Sequence, residues 1–291
     1  MSGATLASAR RVAMRALLDG ERCVHPASVF DPLSAIAAQD LGFECAMLGG
    51  SVASLVLLGA PDLGLITLDE LAGLVRRICR ASAVPLLVDA DHGYGNALNV
   101  RRTVQELECA GAAAISIEDT LLPASFGGSG EALTTVDEAV GKLRAAVGAR
   151  EDSALAIVGR TNAGLQTLAQ LLERQRRFED TGIDAFFVAR ARSLDVVEAL
   201  AANARVPLVL AALPAGADAA WLAARKVRVC LKGHQGFANA VALVYSQLAA
   251  LRGADAAAGG TAPDASETAP QLVQRLSGTA FYDRLEQDYL R

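Results

Sequence analysis

The sequence predicts a (β/α)8 barrel of the TIM type with a C-terminal helical extension. Eight short apolar runs alternate with helix-length segments, and such alternation means parallel strands joined by crossover helices. The runs are almost continuously apolar, which is typical of a sheet that is buried on both faces. Eight such units in roughly 250 residues is the usual size of this barrel. A doubly wound open sheet is the alternative, but the chain lacks the Gly-x-Gly-x-x-Gly fingerprint of that fold.

The elements follow in order. The first is an amphipathic helix over Ala7–Leu18, with Val12, Leu17 and Leu18 among its apolar positions. The predicted strands are Arg22–Val24, Phe43–Leu48, Pro85–Asp89, Ala113–Ile117, Ala154–Arg160, Ala185–Ala189, Pro207–Ala211 and Val227–Leu231. The predicted helices are Pro32–Asp40, Leu68–Ser82, Ala97–Ala110, Val136–Val147, Leu165–Glu179, Ser193–Asn203, Ala217–Lys226 and Gln235–Leu251.

Three parts of the chain differ in composition. Residues 1–251 form the predicted catalytic barrel, and residues 252–269, rich in Ala, Gly, Pro, Asp and Thr, form a flexible linker. Residues 270–291 carry spaced apolar side chains, which predict one or two short helices that pack on the barrel or on a neighbouring subunit. We therefore expect an oligomer.

Composition and charge exclude several classes of protein. The 291 residues are 52% hydrophobic and 20% charged, with a net charge of −5, which indicates one large or two small globular domains. The acidic balance argues against nucleic acid and anionic membranes as partners. Neither an apolar run long enough to span a membrane nor the apolar core of a signal peptide is present in the sequence. Five cysteines without CxxC spacing indicate reduced thiols, and hence a cytoplasmic protein.

Polar groups appear where the apolar runs stop. In a barrel of this kind the C-terminal ends of the strands surround one shared cavity, so these groups are expected to face each other there. They are Gly49-Gly50-Ser51, Asp89 with Asp91, Glu118-Asp119, Arg160-Thr161-Asn162 and Lys232-Gly233-His234.

Asp89 and Asp91 are the first candidates for a metal site. Side chains alternate along a strand, so the two carboxylates point the same way, and they repel unless a cation or a proton lies between them. Oxygen ligands favour Mg²⁺ or Mn²⁺ over zinc. The alternative is a capped turn, in which Asp91 bonds backbone amides and the following glycines supply positive φ angles.

An α-keto dicarboxylate fits this set of groups. A metal held directly by Asp89, with Asp91, Glu118 and Asp62 bonding its waters, can chelate the ketone and the adjacent carboxylate and stabilise an enolate.

Three further residues of the predicted rim suit substrate binding, and each has an alternative. Arg160 offers a planar fork for a carboxylate, or pairs with an acid of the rim. Ser51 helps to hold an anionic oxygen, or is only a helix cap. His234 contacts substrate, or is a buried structural histidine.

The chain resembles the isocitrate lyase/phosphoenolpyruvate mutase superfamily over about residues 8 to 250, and within it the oxaloacetate decarboxylase branch. The motifs that carry the resemblance are Val88–Asn96, Gly49–Ser51, Ile117–Asp119 and Gly159–Asn162, with Ala27–Pro32, Leu48–Ser54, Asp119–Gly127 and Gly233-His234 for the branch. The resemblance implies a Mg²⁺-dependent barrel, for which Mn²⁺ is a possible substitute, commonly assembled as a dimer of dimers that exchange C-terminal helices. It also implies Asp89 as the metal ligand, Asp91 and Glu118 as partners of its waters, and Ser51, Arg160 and His234 as substrate-binding residues.

One segment departs from the family pattern. Lyases of the superfamily carry a Lys-Lys-Cys-Gly loop after the fourth strand, whereas residues 121–130 here contain neither cysteine nor lysine. Cleavage of isocitrate or methylisocitrate is therefore disfavoured. The Gly127–Gly130 tip remains suited to act as a mobile lid.

The predicted reaction is Mg²⁺-dependent decarboxylation of oxaloacetate to pyruvate and CO2 through an enolate that the metal stabilises, with Asp89, Arg160 and His234 as catalytic residues. Electrostatic stabilisation of the enolate needs no activated Ser or Cys nucleophile. Two alternatives stay open: cleavage of another C–C or P–C bond on the same scaffold, and a barrel that binds a dicarboxylate without turnover.

Overall fold

The computed structural model describes residues 3–128, 130–252 and 266–291, and it is an α/β barrel with a helical C-terminal extension. The strands are β1 Ala27–Ser28, β2 Ala46–Leu48, β3 Leu86–Asp89, β4 Ala114–Glu118, β5 Ala156–Asn162, β6 Ala185–Ala189, β7 Leu208–Leu210 and β8 Val227–Cys230. The helices are α1 Gly3–Leu18, α2 Pro32–Asp40, α3 Gly50–Leu58, α4 Leu68–Ala81, α5 Ala97–Ala110, α6 Val136–Val147, α7 Leu168–Glu179, α8 Leu194–Asn203, α9 Ala219–Ala224, α10 Gln235–Arg252, α11 Ala269–Leu276 and α12 Thr279–Tyr289.

The eight strands pair in chain order, and every pair is parallel. The sheet is closed by Val24, which forms a parallel bridge with Val229 of β8. Its backbone N–H donates to Arg228 O at 2.9 Å, and its carbonyl accepts from Cys230 N at 3.0 Å. The predicted (β/α)8 barrel is confirmed.

The first strand differs from its predicted position. The sequence predicts it at Arg22–Val24, but within that run only Val24 is bridged, and β1 lies at Ala27–Ser28, paired with β2. The intervening Pro26 has no backbone N–H to donate to a ladder. The chain therefore pairs with β8 before the proline and with β2 after it.

The barrel interior is filled by alternate residues of the strands. Met47, Leu87, Val158 and Phe187 belong to one buried apolar cluster, separate from the larger cluster between sheet and helices. Side chains two residues further along a strand point to the same side. Leu87 therefore fixes the inward direction of Asp89, and Val158 fixes that of Arg160.

Helix α1 closes the opposite, N-terminal end of the barrel. Met14 and Leu18 enter the interior cluster. Arg10 Nη1 donates to Cys79 O at 2.8 Å and to Ser82 O at 3.0 Å, at the C-terminal end of α4, where helix carbonyls lack internal partners.

The C-terminal helices pack on one another and on α10. α11 packs against α10, and Gly127 N in the segment after β4 donates to Leu290 O at 2.8 Å. Between α12 and that segment lies a cleft of about 670 Å³, mostly apolar, whose lining includes Asp62 and Thr120.

Parts of two predictions fall outside the described residues: most of the flexible linker at 252–269, and Ser129 in the tip of the proposed lid. Within the described ranges, no helix is both long enough and apolar enough to cross a membrane.

Candidate active site

Asp89, Glu118 and Arg160 meet at the C-terminal mouth of the barrel. Arg160 Nη1 forms a short ion pair with Asp89 Oδ2, and Arg160 Nε forms a second one with Glu118 Oε2 at 3.0 Å, although Nε makes no hydrogen bond within the described residues. Ser116 Oγ donates to Asp89 Oδ1 at 3.0 Å. The Arg160 guanidinium carbon also lies 5.2 Å from the ring centre of Phe187. Arg160 therefore pairs with acids of the rim, as one of the two interpretations of its sequence position requires.

The carboxyl group of Asp91 is buried at this mouth. Its Oδ2 has no hydrogen-bond partner among the described residues, so a turn capped through that oxygen is not found. Burial first, and then the charges of Asp89, Asp62 and Glu118, raise the pKa of the Asp91 carboxyl well above its usual range. A Cβ atom at Gly50 would overlap Asp91 Oδ1, so only glycine fits there.

The turn that carries Asp91 is held from three sides. Its backbone adopts positive φ at Asp91 (45°) and Tyr94 (62°), a conformation that non-glycine residues adopt at a cost in energy. The carbonyls of residues 91–93 accept hydrogen bonds from Glu118 N at 2.8 Å, Lys142 Nζ at 3.1 Å and Thr103 Oγ1 at 3.0 Å. Strands and helices of the barrel thus impose this backbone.

Glu118 and Asp62 add to the negative charge. Burial raises the pKa of Glu118 to about 7, with Asp89 acting in the same direction and Arg160 opposing it. Asp62 is exposed at the mouth in the loop before α4, and its pKa is raised by partial loss of hydration and by Asp89. Four carboxylates therefore share the one guanidinium of Arg160.

The Gly49-Gly50-Ser51 segment brings the start of α3 to this acid cluster. Gly49 is the N-cap of α3, and Gly50 N lies 3.5 Å from Asp89 Oδ2. Ser51 follows in the first helical turn and is half-buried. Unpaired N–H groups of a first turn attract anions, so this end of α3 suits an anionic oxygen.

His234 lies at the start of α10, after Gly233 with a φ of 83°. Its Nδ1 is 2.6 Å from Ser28 Oγ at the end of β1. A Cβ atom at Gly49 would be 2.8 Å from His234 Nε2, so the other edge of the ring lies against the start of α3. Burial lowers the pKa of the ring. The structure therefore brings His234 to the same mouth as the acids.

Sequence reasoning missed three polar residues around the site. Ser116 lies two positions before Glu118 on the same inward face, so strand alternation alone could have found it. Ser28 lies in the Ala27–Pro32 motif, but the sequence gives no sign of its contact with a residue 206 positions away, and Lys142 reaches the turn from α6, where no local pattern indicates it. Lys232, which also follows the last apolar run, is exposed.

Oxygen donors with excess negative charge suit a hard cation. The four carboxylates fit a divalent ion, and so does the buried Asp91 Oδ2, which finds no partner in the described part of the chain. Within residues 3–128, 130–252 and 266–291 no three His, Cys, Asp or Glu side chains stand close enough to bind an ion together. Mg²⁺ commonly keeps several waters and takes few protein ligands, so one direct carboxylate with others acting through water is compatible with this spacing.

Known proteins resemble this chain throughout. A family model described as phosphoenolpyruvate phosphomutase matches residues 14–252. An oxaloacetate decarboxylase from Bradyrhizobium sp. strain BTAi1 is 52% identical over 247 residues, which are 84% of this chain and 86% of that one. The structure of oxaloacetate acetylhydrolase with 3,3-difluorooxalacetate is similar with a TM-score of 0.76 and 27% identity, covering 97% of both chains. That of phosphonopyruvate hydrolase with oxalate and Mg²⁺ has a TM-score of 0.74 and 28% identity, covering 97% of this chain and 99% of that one.

Proposed function

The chain belongs to the phosphoenolpyruvate mutase/isocitrate lyase superfamily of enzymes, and on that premise we propose that it decarboxylates oxaloacetate to pyruvate and CO2 with Mg²⁺ as its cofactor. The observation that carries the proposal is the buried acid cluster at the barrel mouth, in which Asp91 Oδ2 has no partner among the described residues. The identity to an oxaloacetate decarboxylase over most of the chain supports the choice of substrate.

The metal would be held by Asp89 directly and by Asp91, Glu118 and Asp62 through water. Bound there, Mg²⁺ would act as a Lewis acid that draws electron density from the ketone oxygen of the substrate. Mn²⁺ has similar ligand preferences and is a possible substitute.

The protein's own groups orient the substrate. Arg160 gives up one of its ion pairs with Asp89 and Glu118 and binds a carboxylate of oxaloacetate instead. Its planar guanidinium can form two parallel hydrogen bonds with such a group. Ser51 and the first-turn N–H groups of α3 accommodate an anionic oxygen, and His234 donates to the substrate from its Nε2 edge. The C3–C4 bond then breaks, its electron pair moves toward the C2 oxygen, and CO2 leaves. A proton from water completes pyruvate at C3.

The test is pyruvate formation from oxaloacetate with Mg²⁺, after subtraction of the background from free metal. We expect saturable turnover in the wild type that both EDTA and Asp89→Ala abolish. Asp137→Ala, at a side chain that is 87% exposed on α6, is the matched control and should keep full activity. Absence of turnover above background would refute the proposed reaction.

The same assay separates the alternatives. Turnover of 2-hydroxy acids or phosphonopyruvate, together with no turnover of oxaloacetate, would indicate another lyase of the superfamily. Tight binding of oxalate or oxaloacetate without turnover of any of them would indicate a binding barrel.

We also propose a homotetramer built as a dimer of dimers, in the cytoplasm. Exposed apolar side chains on α10 support the assembly: Leu243 is 62% exposed, Leu248 60% and Leu251 83%. Light scattering of the purified protein would test the assembly, and the mass of a monomer would refute it.

The proposed cytoplasmic location has separate support, because the free state of all five cysteines is compatible with a reducing compartment.

A further inference from the structure

Ser28 makes a polar contact that the proposed reaction does not yet use. Its Oγ lies 2.6 Å from Nδ1 of His234, although the two residues are 206 positions apart in the chain. Ser28 is in register with Met47, whose side chain belongs to the barrel interior, so both point inward. The serine therefore reaches the histidine from inside the ring of strands.

The opposite edge of the imidazole faces the proposed substrate site. Nε2 and Cε1 of His234 lie against Gly49 at the start of α3, where the first-turn N–H groups and Ser51 are found. A Cβ atom at the next residue, Gly50, would overlap Asp91, so the ring lies beside the acid cluster. Nε2 is thus the nitrogen available to a bound keto acid.

A neutral imidazole carries a single N–H, and the partner of one nitrogen sets the role of the other. Burial lowers the pKa of this ring, which favours the neutral form near pH 7. With the proton on Nδ1, a lone pair at Nε2 would point toward carboxylates and an anionic substrate. With the proton on Nε2, that edge donates, and Nδ1 becomes an acceptor for the hydroxyl of Ser28.

We propose that Ser28 is a positioning residue: its hydroxyl donates to Nδ1 of His234 and thereby keeps the proton on Nε2, where it donates to an oxygen anion of the keto acid. The role in binding rests on the proposed function. The tautomer of the resting enzyme does not, so the two can be tested separately.

The chain's three histidines make the tautomer directly measurable. Nitrogen-15 labelling of histidine in the full chain with Mg²⁺ gives three imidazole spin systems, and His234→Gln identifies the relevant one. His25 is an internal reference, because its Nδ1 lies 2.7 Å from the carbonyl of Cys230, which can only accept. His25 must therefore carry a proton on Nδ1.

We expect His234 to show the opposite pattern from His25, with an unprotonated Nδ1 and a protonated Nε2. Ser28→Ala should move His234 toward a mixture of tautomers, and Ser28→Thr, which keeps the hydroxyl, should restore the wild-type pattern. A proton on Nδ1 in the wild type would overturn the inference, and so would a pattern that Ser28→Ala leaves unchanged.

Turnover provides the second measurement. Ser28→Ala is expected to lower kcat/KM for oxaloacetate about tenfold, in the range seen when a group that orients a ligand is removed, with recovery in Ser28→Thr. The matched control is Ser277→Ala, whose hydroxyl bonds Gln274 O at the end of α11. Normal kinetics in Ser28→Ala would overturn the binding role. If the wild type did not turn over oxaloacetate, the spectra would still decide the tautomer.

Discussion

At the scale of single residues, the unusual feature is the excess of carboxylates at the barrel mouth over the one guanidinium that pairs with them. Asp91 contributes most to it, since it is buried with an oxygen that lacks a partner among the described residues. Residues that a functional site requires often lower the stability of the folded protein.

Asp91→Asn should therefore stabilise the metal-free protein while impairing metal-dependent turnover. The folded state raises the pKa of Asp91, so it binds the proton more tightly than the unfolded chain does. The wild type is then expected to lose stability relative to Asp91→Asn as the pH rises above the usual carboxyl range. At pH 8 we expect a gain of about 1–2 kcal/mol in urea unfolding with EDTA present. Equal stability of the two proteins from pH 5 to pH 8 would contradict this account.

Gly50→Ala tests how closely the start of α3 approaches Asp91. Alanine favours a helix over glycine by about 1 kcal/mol, but its Cβ would displace the Asp91 carboxylate. We expect kcat/KM to fall at least about tenfold, as small misplacements of reacting groups do. Gly73→Ala is the control, because a Cβ there in α4 meets nothing within 4 Å. It should keep its activity and gain up to about 1 kcal/mol; full activity of Gly50→Ala would contradict the prediction.

The sequence predicted those site residues that end an apolar run. Asp89, Glu118 and Arg160 stand on inward strand positions, and alternation brings them together in any parallel barrel. Alternation could not indicate the contacts of Ser28 and Lys142. Ser28 meets His234 across the closed ring of strands, and Lys142 reaches His92 O from the helical layer. Nor could alternation show that Arg160 already pairs with two acids, since that depends on distances between neighbouring strands.

At the scale of elements, α1 depends on its arginines. Arg11 is buried; Nη2 donates to Glu108 O at 2.6 Å, and Nη1 lies 2.8 Å from Asp152 Oδ2. The carboxylate of Glu108 also accepts from the backbone N–H groups of residues 151 and 152, at 2.9 and 2.7 Å. The helix is thus tied to the loop that precedes β5.

Arg11→Met should destabilise the fold by about 3 kcal/mol, because it leaves buried acceptors and Glu108 without their cation. Arg22→Ala is the control, since Arg22 is 80% exposed and lies 3.6 Å from Glu44. Such surface pairs contribute about 0–1 kcal/mol. Chemical unfolding of the two variants measures the difference, and equal losses would show that α1 is not anchored in this way.

Three helices have the predicted bounds, although a side-chain cap alone does not ensure this: α7 is capped by Thr167 and was predicted to begin at Leu165. Pro32–Asp40, Ala97–Ala110 and Val136–Val147 agree with the structure residue for residue, and each has a side-chain cap from Asp31, Asn96 or Thr135. The short first strand was misplaced, because its pairing changes from β8 to β2 around Pro26. That change is a property of the closed sheet and leaves no periodic pattern in the sequence.

At the scale of the whole molecule, the acid cluster couples cation binding to folding. A ligand that binds only the folded state at 100 times its Kd adds about 2.7 kcal/mol of stability. We expect Mg²⁺ to raise the Tm of the wild type by several degrees and EDTA to reverse the rise. Asp89→Asn should lose the rise, while Asp137→Asn should keep it. A Tm that does not respond to Mg²⁺ would argue against the metal site independently of any activity.

The overall architecture was predictable because eight repeats of one pattern allow few arrangements. The placement of α12 beside the segment after β4 was not, since spaced apolar residues show that a helix needs a partner without showing which surface provides it. The hydrogen bond from Gly127 N to Leu290 O places the helix at that segment.

The alternation of inward and outward side chains along β5 limits the kinds of mutation that the protein can tolerate. Loss of a single codon between Val158 and Arg160 would exchange the inside and the outside of every later position in the strand. The guanidinium would then point into the helical layer, where Ile183, Leu143 and Phe178 crowd the backbone of Gly159 and leave no room even for a methyl group. Substitutions at these positions alter one contact at a time, whereas a deletion of one codon removes the site and the packing around it together. Variation in this strand is thus confined to exchanges that preserve its length.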